Sequence, residues 1–140
     1  MRVRREERQE RKRIERYLYD FRDHIVIVEG IKDRKALLDL GCDEDKILCI
    51  SWGWEKLEEM LNHLSRLSDT SDKPEIKRVI VLTDLDRTGE RLAREVSDLI
   101  LSCGLKPDTR IRRELSGVLH LRYWENLPVK LAKRLKELGD

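Results

Sequence analysis

Residues 79–86 read VIVLTDLD, an apolar run that ends in two acidic residues. The run is rich in β-branched residues and does not alternate with polar ones, which predicts a strand buried on both faces in a parallel sheet. One residue, Leu85, separates Asp84 from Asp86, so in an extended chain both carboxylates point the same way. Gly89 and a helical pattern follow. Because ligands of open α/β sheets bind beyond the carboxyl ends of the strands, this stretch predicts an α/β fold with an acidic site at that edge.

A second stretch has the same design. Residues 25–30 read IVIVEG, and Asp33 lies three residues further on. Alone, Glu29-Gly30 is an ordinary strand-to-helix turn, and Asp33 is most simply a helix N-cap. Together with Asp84 and Asp86, however, these acids would repel one another unless a hard divalent cation lay among them. We therefore expect strands one and three to be neighbours that share a metal site.

The composition indicates one globular domain. Hydrophobic residues make up 39% of the 140-residue chain, and charged residues make up 41%, against an average of about 25%. No apolar stretch approaches the roughly 20 residues that span a bilayer, so we expect no membrane association. Three cysteines without paired metal-ligand spacing predict reduced thiols and a cytoplasmic location.

The charges are segregated along the chain. Residues 1–22 carry nine Lys/Arg and five Asp/Glu, residues 23–105 carry twelve and eighteen, and residues 106–140 carry nine and five. An acidic centre between basic ends suits a protein that holds a metal centrally and grips a polyanion peripherally. For each end by itself, a solvated charged helix is the simpler interpretation.

Strands and helices are predicted to alternate, which favours a parallel sheet with right-handed crossovers. The first half of the N-terminal helix has little to bury and is expected to project or fray. We expect a basic N-terminal helix at residues 1–23, an α/β domain at 24–114, and a basic helical extension at 115–140 packed on that domain. The predicted strands are 24–28, 46–50, 78–83 and 109–113; the helices are 3–22, 33–40, 54–67, one that ends at Gly104, and 128–138; residues 68–74 form a polar loop, and 115–123 are ambiguous.

The two acidic motifs carry a family resemblance. EGIKD at residues 29–33, together with DLDRTGE at residues 84–90, resembles the Toprim domain of topoisomerases, bacterial primases, OLD-family nucleases, recombination mediators and the ribonuclease that matures 5S ribosomal RNA. The resemblance implies a Rossmann-like sheet of about four parallel strands flanked by helices. It also implies Mg²⁺- or Mn²⁺-dependent phosphoryl transfer, with Glu29 as acid/base and metal ligand and Asp84 and Asp86 as metal ligands. Two positions depart from the common pattern: Ile31 stands where Lys is frequent, and Leu85 where Pro is frequent.

The remaining sequence narrows the function. No separate domain carries a tyrosine nucleophile, and no Cys/His zinc constellation of a primase is present. The chain looks most like the small, stand-alone Toprim proteins of archaea. A nuclease that uses water on RNA or DNA is the favoured hypothesis, and a non-catalytic Toprim scaffold that binds nucleic acid or a protein partner in repair or RNA processing is the alternative. Residues 84–88 also match the DxDxT signature of haloacid-dehalogenase phosphatases, but the second acidic pair of that family is missing and Glu29 would be unexplained.

Several further residues are candidates for the site. Asp33 and Glu90 are possible auxiliary acids. Trp52 and Trp54 are expected to pack in the core or at a helix entry rather than to stack on bases. Arg87 and Arg91 could clamp a phosphate or pair with acids of their own helix, and the sequence does not decide between these roles. The residues expected to bind phosphate or nucleic acid are Lys32, Arg87, Arg91, Arg112 and Arg113.

Overall fold

A computed structural model describes the backbone of residues 2–69 and 77–139 and the side chains of residues 4–67 and 77–139. Short 3₁₀ turns at Glu44–Lys46, Ile50–Trp52 and Trp124–Asn126 join some of the longer elements. Within the described ranges, no helix combines the length and apolar composition needed to cross a bilayer. The helices are α1 (Arg2–Asp23), α2 (Ile31–Asp39), α3 (Trp54–Asp69), α4 (Arg87–Ser102), α5 (Arg110–Leu119) and α6 (Leu127–Glu137), and the strands are β1 (Ile25–Val28), β2 (Ile47–Cys49), β3 (Arg78–Leu82) and β4 (Lys106–Asp108).

The four strands form one parallel sheet in the order β2-β1-β3-β4. Strands β1 and β3 are adjacent, and their last residues, Val28 and Leu82, are register partners. The residues that follow, Glu29 and Thr83, therefore leave the sheet at the same edge. The expected α/β fold, and the expected pairing of strands one and three, are confirmed.

Alternate residues of the central strands support two separate core layers. Val28 and Leu82 face a layer that contains α1, α2, α5 and α6. Ile27 and Val81 face the opposite layer, which contains α3 and α4. Because both faces are covered, the strands need apolar residues at every position, which explains their unalternating sequence.

The prediction of a fourth strand at residues 109–113 was wrong. The strand is Lys106–Asp108, and residues 110–119 form α5 instead. Ile111, Leu115 and Leu119 are buried at intervals of four, which is a helical period. Pro107 is tolerated because β4 lies at the edge of the sheet. The expected domain boundary between residues 114 and 115 consequently falls inside α5.

The polar loop is only partly described. Ser68 and Asp69, expected to begin it, belong to the end of α3, and residues 70–74 lie outside the described ranges. The ambiguous stretch 115–123 continues α5 as far as Leu119 and then turns toward α6.

The N-terminal helix is confirmed, but its first half does not project as expected. Ile14 and Phe21 pack in the core. Further toward the N-terminus, the carboxylate of Glu10 accepts hydrogen bonds from Arg134 at 2.5 and 2.9 Å. Arg11 donates to the carbonyl of Leu135 at 2.9 Å. Polar contacts with α6 therefore hold a segment that has few apolar residues.

Candidate acidic site at the carboxyl edge of the sheet

Glu29 and Asp84 meet where β1 and β3 end. The Oε2 atom of Glu29 accepts a hydrogen bond from the backbone N–H of Asp84 at 2.6 Å. Both side chains are partly exposed, so solvent reaches the pair. The contact follows from the register of the two strands, which places the ends of β1 and β3 side by side.

Asp84 is held by residues from the C-terminal part of the chain. Its Oδ1 atom accepts a hydrogen bond from the backbone N–H of Trp124 at 3.0 Å, and its carbonyl accepts one from Arg112 Nη2 at 2.6 Å. The next residue, Leu85, donates its N–H to the carbonyl of Arg122 at 2.8 Å. Backbone and side chain of this acid are thus both fixed by segments that follow β4.

Arg112 lies in the interior, with 2% of its surface exposed. Its Nε atom donates to the carbonyl of Thr83 at 2.8 Å, and the indole N–H of Trp124 donates to that same carbonyl at 2.8 Å. The guanidinium also forms an ion pair with Glu90 at 2.9 Å. Arg112 was expected on a strand with access to phosphate, but helix α5 turns it inward to bind the backbone beside Asp84.

Gly89 is required by a close backbone approach. A Cβ atom at this position would lie 1.8 Å from the carbonyl oxygen of Asp84. The N–H of Gly89 donates to Asp86 Oδ1 at 2.7 Å, and its carbonyl accepts from the hydroxyl of Thr83 at 2.7 Å. Asp86 is therefore the N-cap of α4, and the glycine allows the loop to fold back on Asp84.

Asp33 and Asp84 both have raised pKa values. Burial, followed by the charge of Asp84, raises the pKa of Asp33 to about 6, although the N–H of Gly30 bonds to its Oδ2 at 3.1 Å. Burial also raises the pKa of Asp84 to about 6; the N–H of Trp124 opposes that rise, and the charges of Glu29 and Asp86 add to it. The acids expected from sequence therefore lie within electrostatic range of one another.

The chemistry of this donor set fits a hard divalent cation. Carboxylate oxygens are the ligands that Mg²⁺ and Mn²⁺ prefer, and a cation would offset both the burial and the neighbouring charges that raise the pKa of Asp84. One oxygen of each acid already accepts a backbone hydrogen bond: Glu29 from Asp84, Asp84 from Trp124, and Asp86 from Gly89, the bond that caps α4. Within the described residues, no three or more His, Cys, Asp or Glu side chains are arranged so that together they could hold a metal ion, so a cation here would need further ligands from water or substrate.

The expected basic residues are mostly exposed. Lys32, Arg87 and Arg113 lie on the surface at the starts of α2, α4 and α5. Arg91 is also exposed, but it pairs with Glu95 at 3.3 Å, one of the two roles that the sequence allowed.

The aromatic residues agree with expectation only in part. Trp52 and Trp54 were expected in the core or at a helix entry. Trp54 does begin α3, but neither ring lies in the core, since they are 37% and 40% exposed. Gly53 lies between them with φ of 101°, where the 3₁₀ turn ends and α3 begins. Trp124, which the sequence analysis missed, is fully buried beside Asp84. The available signal was the spacing of Leu121, Trp124 and Leu127 at every third residue, and all three side chains are buried.

Comparison with known proteins finds archaeal relatives. The UPF0292 protein PH1700 of Pyrococcus horikoshii is 35% identical over 94 residues, which are 66% of this chain and 61% of that protein. A UPF0292 protein of Thermococcus sibiricus is 29% identical over 109 residues, 76% of this chain and 77% of that protein. The chain thus spans about three-fifths of the length of relatives such as PH1700. A solved structure of a protein from Aquifex aeolicus, 21% identical with a TM-score of 0.56, covers 80% of this chain and 95% of its own and supports the fold.

The family assignment rests on the sequence region that builds the acidic site. The Toprim domain matches residues 24–116, which include β1, β3 and both acidic loops. Proteins with this domain generally bind divalent metal ions and act on nucleic acids. The four-stranded parallel sheet has the α/β architecture of that domain. The chain therefore belongs to the Toprim family.

Proposed function

We propose that this protein is a Mg²⁺- or Mn²⁺-dependent phosphoryl-transfer enzyme that acts on nucleic acid as a nuclease. The observation that supports the proposal is the hydrogen bond of 2.6 Å from the backbone N–H of Asp84 to the carboxylate of Glu29, which brings the two acids together at the carboxyl edge of the sheet. Two acids held together in a partly buried position, one with a pKa raised to about 6, are the expected signature of a cation site.

Each acid has a distinct proposed role. Glu29 and Asp84 would hold the cation, with Asp86 contributing the carboxylate oxygen that does not cap α4. When bound, such a cation neutralises phosphoryl oxygens and lowers the pKa of a water molecule. Glu29 would move a proton between water and solvent, while Arg112 and Trp124 keep Asp84 in place. Two further acids would support this arrangement: Asp33 accepts a hydrogen bond from the N–H of Gly30, and Glu90 pairs with Arg112.

Exposed basic residues would hold the phosphate backbone. Lys32, Arg87, Arg91 and Arg113 remain candidates for this role, whereas the buried position of Arg112 favours a structural one. Arginines from α1, β3 and α5 also line a cleft of about 410 Å³. Guanidinium groups recognise phosphate by paired hydrogen bonds. Asp20 and Glu114 also line the cleft and pair with Arg78 and Arg110, so its candidates for phosphate binding are the two arginines of α1. The cleft arginines are Arg13, Arg16, Arg78 and Arg110.

The buried free cysteines suit a reducing compartment, and we place the protein in the cytoplasm. Burial raises the pKa values of the Cys42 and Cys49 thiols to about 11, so neither would be ionised near neutral pH. Catalysis by a thiolate is therefore not part of the proposal.

A non-catalytic Toprim scaffold is the second candidate. The observation that favours it is the use of Asp86 as a helix cap, which gives this acid a structural reason to be present. The scaffold would bind nucleic acid or a protein partner without cleaving a phosphodiester.

The deciding experiment is incubation with labelled single-stranded and structured RNA and DNA in Mg²⁺, Mn²⁺ or EDTA. Cleavage that EDTA abolishes and that Asp84→Ala removes supports the enzyme. The control is Asp98→Asn, which neutralises an exposed acid on the second half of α4 and should cleave like the wild type. Binding without cleavage in any metal would support the scaffold instead.

A second experiment tests the basic N-terminal surface. Arg4, Arg5 and Arg8 are exposed, whereas Glu10 and Arg11 contact α6. Replacing the three exposed arginines with Gln therefore keeps the contacts of Glu10 and Arg11 with α6. If they bind phosphate, affinity should weaken similarly for all sequences, and the dependence of log K on log salt should flatten by about 0.7 to 0.9 for each phosphate that is no longer neutralised. Unchanged affinity and slope would make this surface a solvated helix face.

A further inference from the structure

Exposed aromatic side chains lie on both sides of the acidic site. Trp52 and Trp54 follow β2, on the side of Glu29, and are 37% and 40% exposed. Tyr123 lies on the side of Asp84 and is 38% exposed. Four of the seven aromatic side chains are exposed; Tyr19 lies on α1, and the other three are at this edge of the sheet.

The first aromatic group, Trp52 and Trp54, is joined to Glu29 by a backbone hydrogen bond of the preceding residue. The N–H of Ser51, the residue before Trp52, donates to the carbonyl of Glu29 at 2.9 Å. The guanidinium of Arg34 lies over the Trp52 ring, 5.5 Å from its centroid. Arg34 is fixed by hydrogen bonds to the carbonyls of Ile47 at 3.2 Å and Glu44 at 2.7 Å. The hydrogen bond of Ser51 and the guanidinium of Arg34 thus position Trp52 without burying its ring.

The second aromatic group, Tyr123 alone, is joined to Asp84 by a backbone hydrogen bond of the following residue. Tyr123 precedes Trp124, whose N–H bonds to the Asp84 carboxylate at 3.0 Å. It follows Arg122, whose carbonyl accepts the N–H of Leu85 at 2.8 Å. The guanidinium of Arg122 also lies over the Tyr123 ring, 5.7 Å from its centroid. Both groups therefore contain the same parts. Each has a partly exposed ring with an arginine over it, and the residue next to the ring donates its backbone N–H to an acid of the site.

The core of the protein shows what aromatic residues do when they serve packing. Trp124 and Phe21 are 0% and 1% exposed, and their rings meet edge to face with centroids 6.4 Å apart. Trp52, Trp54 and Tyr123 have no such enclosure. An arginine over a ring presents two flat surfaces and a positive charge, which is the chemistry that holds a nucleobase together with its phosphate.

We propose that Trp52 and Tyr123 stack on unpaired nucleobases on either side of the phosphate that Glu29 and Asp84 address, and that Trp54 extends the first platform. This inference rests on the proposed function for its position at the acidic site. Bases inside a duplex are stacked on one another and cannot offer their faces to side chains, so the substrate is a single strand or the unpaired segment of a structured nucleic acid.

The test is binding in EDTA, so that cleavage does not enter the measurement. A fluorescently labelled single-stranded oligonucleotide and its fully paired duplex, each as RNA and as DNA, are titrated with the wild type and with Trp52→Ala and Tyr123→Ala. Removal of one stacking ring should weaken single-strand binding by about 5- to 150-fold and leave duplex binding nearly unchanged.

Conservative variants separate stacking from folding. Trp52→Phe and Tyr123→Phe keep a flat ring and should bind single strands within a few-fold of the wild type. Thermal unfolding of each Ala variant checks that it is folded at the temperature of the titration. In the wild type, single strands should quench tryptophan fluorescence, and Trp52→Ala should reduce that quenching, because Trp124 is buried.

The outcomes distinguish this inference from the proposed function. Single-strand binding that depends on Trp52 and Tyr123, without cleavage in any metal, refutes the nuclease and keeps the stacking platforms. Cleavage with Ala variants that bind and cut single strands like the wild type refutes the platforms and keeps the nuclease. Equal loss of single-strand and duplex binding would also overturn the proposal. Unchanged nucleic-acid binding, with loss of a protein partner in the same variants, would assign the rings to protein docking instead.

Discussion

The loops after β1 and β3 both carry acids to the same edge of the sheet, yet they are built differently. In the β3 loop, the carbonyls of Thr83 and Asp84 are bound by Arg112, and a Cβ on Gly89 would lie 1.8 Å from the Asp84 carbonyl oxygen. In the β1 loop, Gly30 has an extended backbone, and a Cβ there would meet nothing within 4 Å. The β3 loop is closed by the protein itself, whereas the β1 loop leaves open space beside Glu29.

The difference suggests a division of labour at the site. Asp84 is fixed before any ligand arrives, because side-chain and backbone contacts from α5 and Trp124 hold it. Glu29 has its side-chain contact with the backbone of Asp84 and borders open space at Gly30. On the proposed function, a substrate phosphate would approach over the β1 loop and meet a preformed acid on the β3 loop.

The largest expected effect on stability comes from replacing the glycine of the β3 loop with alanine, with the same replacement in the β1 loop as the comparison. Gly89→Ala should lower the free energy of unfolding by about 3 kcal/mol or more, since the clash is with backbone and no rotamer relieves it. Gly30→Ala should change it by less than about 0.5 kcal/mol. Urea unfolding followed by circular dichroism measures both. Equal losses would show that the β1 loop is as tightly closed as the β3 loop.

A smaller effect should come from the support behind the β3 loop. Arg112→Ala removes hydrogen bonds to Thr83 and Asp84 and should cost about 2 to 3 kcal/mol. Its neighbour Arg113 is exposed, and Arg113→Ala should stay within about 0.5 kcal/mol of the wild type. Chemical denaturation of the pair gives the comparison. If Arg112→Ala is as stable as Arg113→Ala, the buried hydrogen bonds do not stabilise the loop.

The pH dependence of stability tests the cost of holding a charged Asp84 carboxylate partly buried and beside the acid of the β1 loop. Folding raises the pKa of Asp84 from its ordinary 3.8 to about 6, so the folded state binds this proton more tightly and stability falls as pH rises from about 4 to 6. Asp84→Asn should match the wild type near pH 4 and exceed it by about 1 to 2 kcal/mol at pH 7. Mg²⁺ should raise the melting temperature of the wild type but not of this variant.

The same measurements include a matched control. Asp98→Asn removes an exposed acid distant from the site and should follow the wild-type pH curve and the wild-type response to Mg²⁺. Asp84→Asn that is less stable than the wild type at pH 7 would show that the carboxylate's hydrogen bonds outweigh the repulsion.

The smallest effect concerns the cap of α4. Asp86→Asn keeps an acceptor for the N–H of Gly89 and should change stability by less than about 0.5 kcal/mol, whereas Asp86→Ala should cost about 1 kcal/mol. Thermal or urea unfolding of the metal-free proteins separates the two. A loss in Asp86→Asn as large as in Asp86→Ala would mean that the charge of Asp86, rather than its cap, supports the loop.

The sequence predicted the central sheet because local pattern and position in the sheet agree there. Strands β1 and β3 are buried on both faces, so unbroken apolar runs mark them, and the acids at their ends predicted the meeting of Glu29 with Asp84. The edge strand β4 has only three residues and an exposed lysine, and it has too few apolar residues to be seen in the pattern. Its helical neighbour α5 was mistaken for it.

The supports of the site could not be predicted, because they depend on contacts distant in sequence. From sequence, Arg112 is expected to be a surface charge, and only the structure shows that α5 turns it toward Thr83. Trp124 stands next to Tyr123, and the sequence does not tell which of the two rings is buried. The exposure of Trp52 is likewise a property of the packed protein, since its sequence neighbours do not say whether a core lies within reach.

The long-range anchors of Asp84 also set an order of events during protein synthesis. The acid is 28 residues ahead of Arg112 and 40 ahead of Trp124. At a translation rate of about 5 to 20 residues per second, roughly 2 to 8 seconds pass between synthesis of the acid and synthesis of its last anchor. A nascent chain therefore carries Glu29 and Asp84 well before it can hold them in place, and the acidic site is completed only when the segment through Trp124 has left the ribosome.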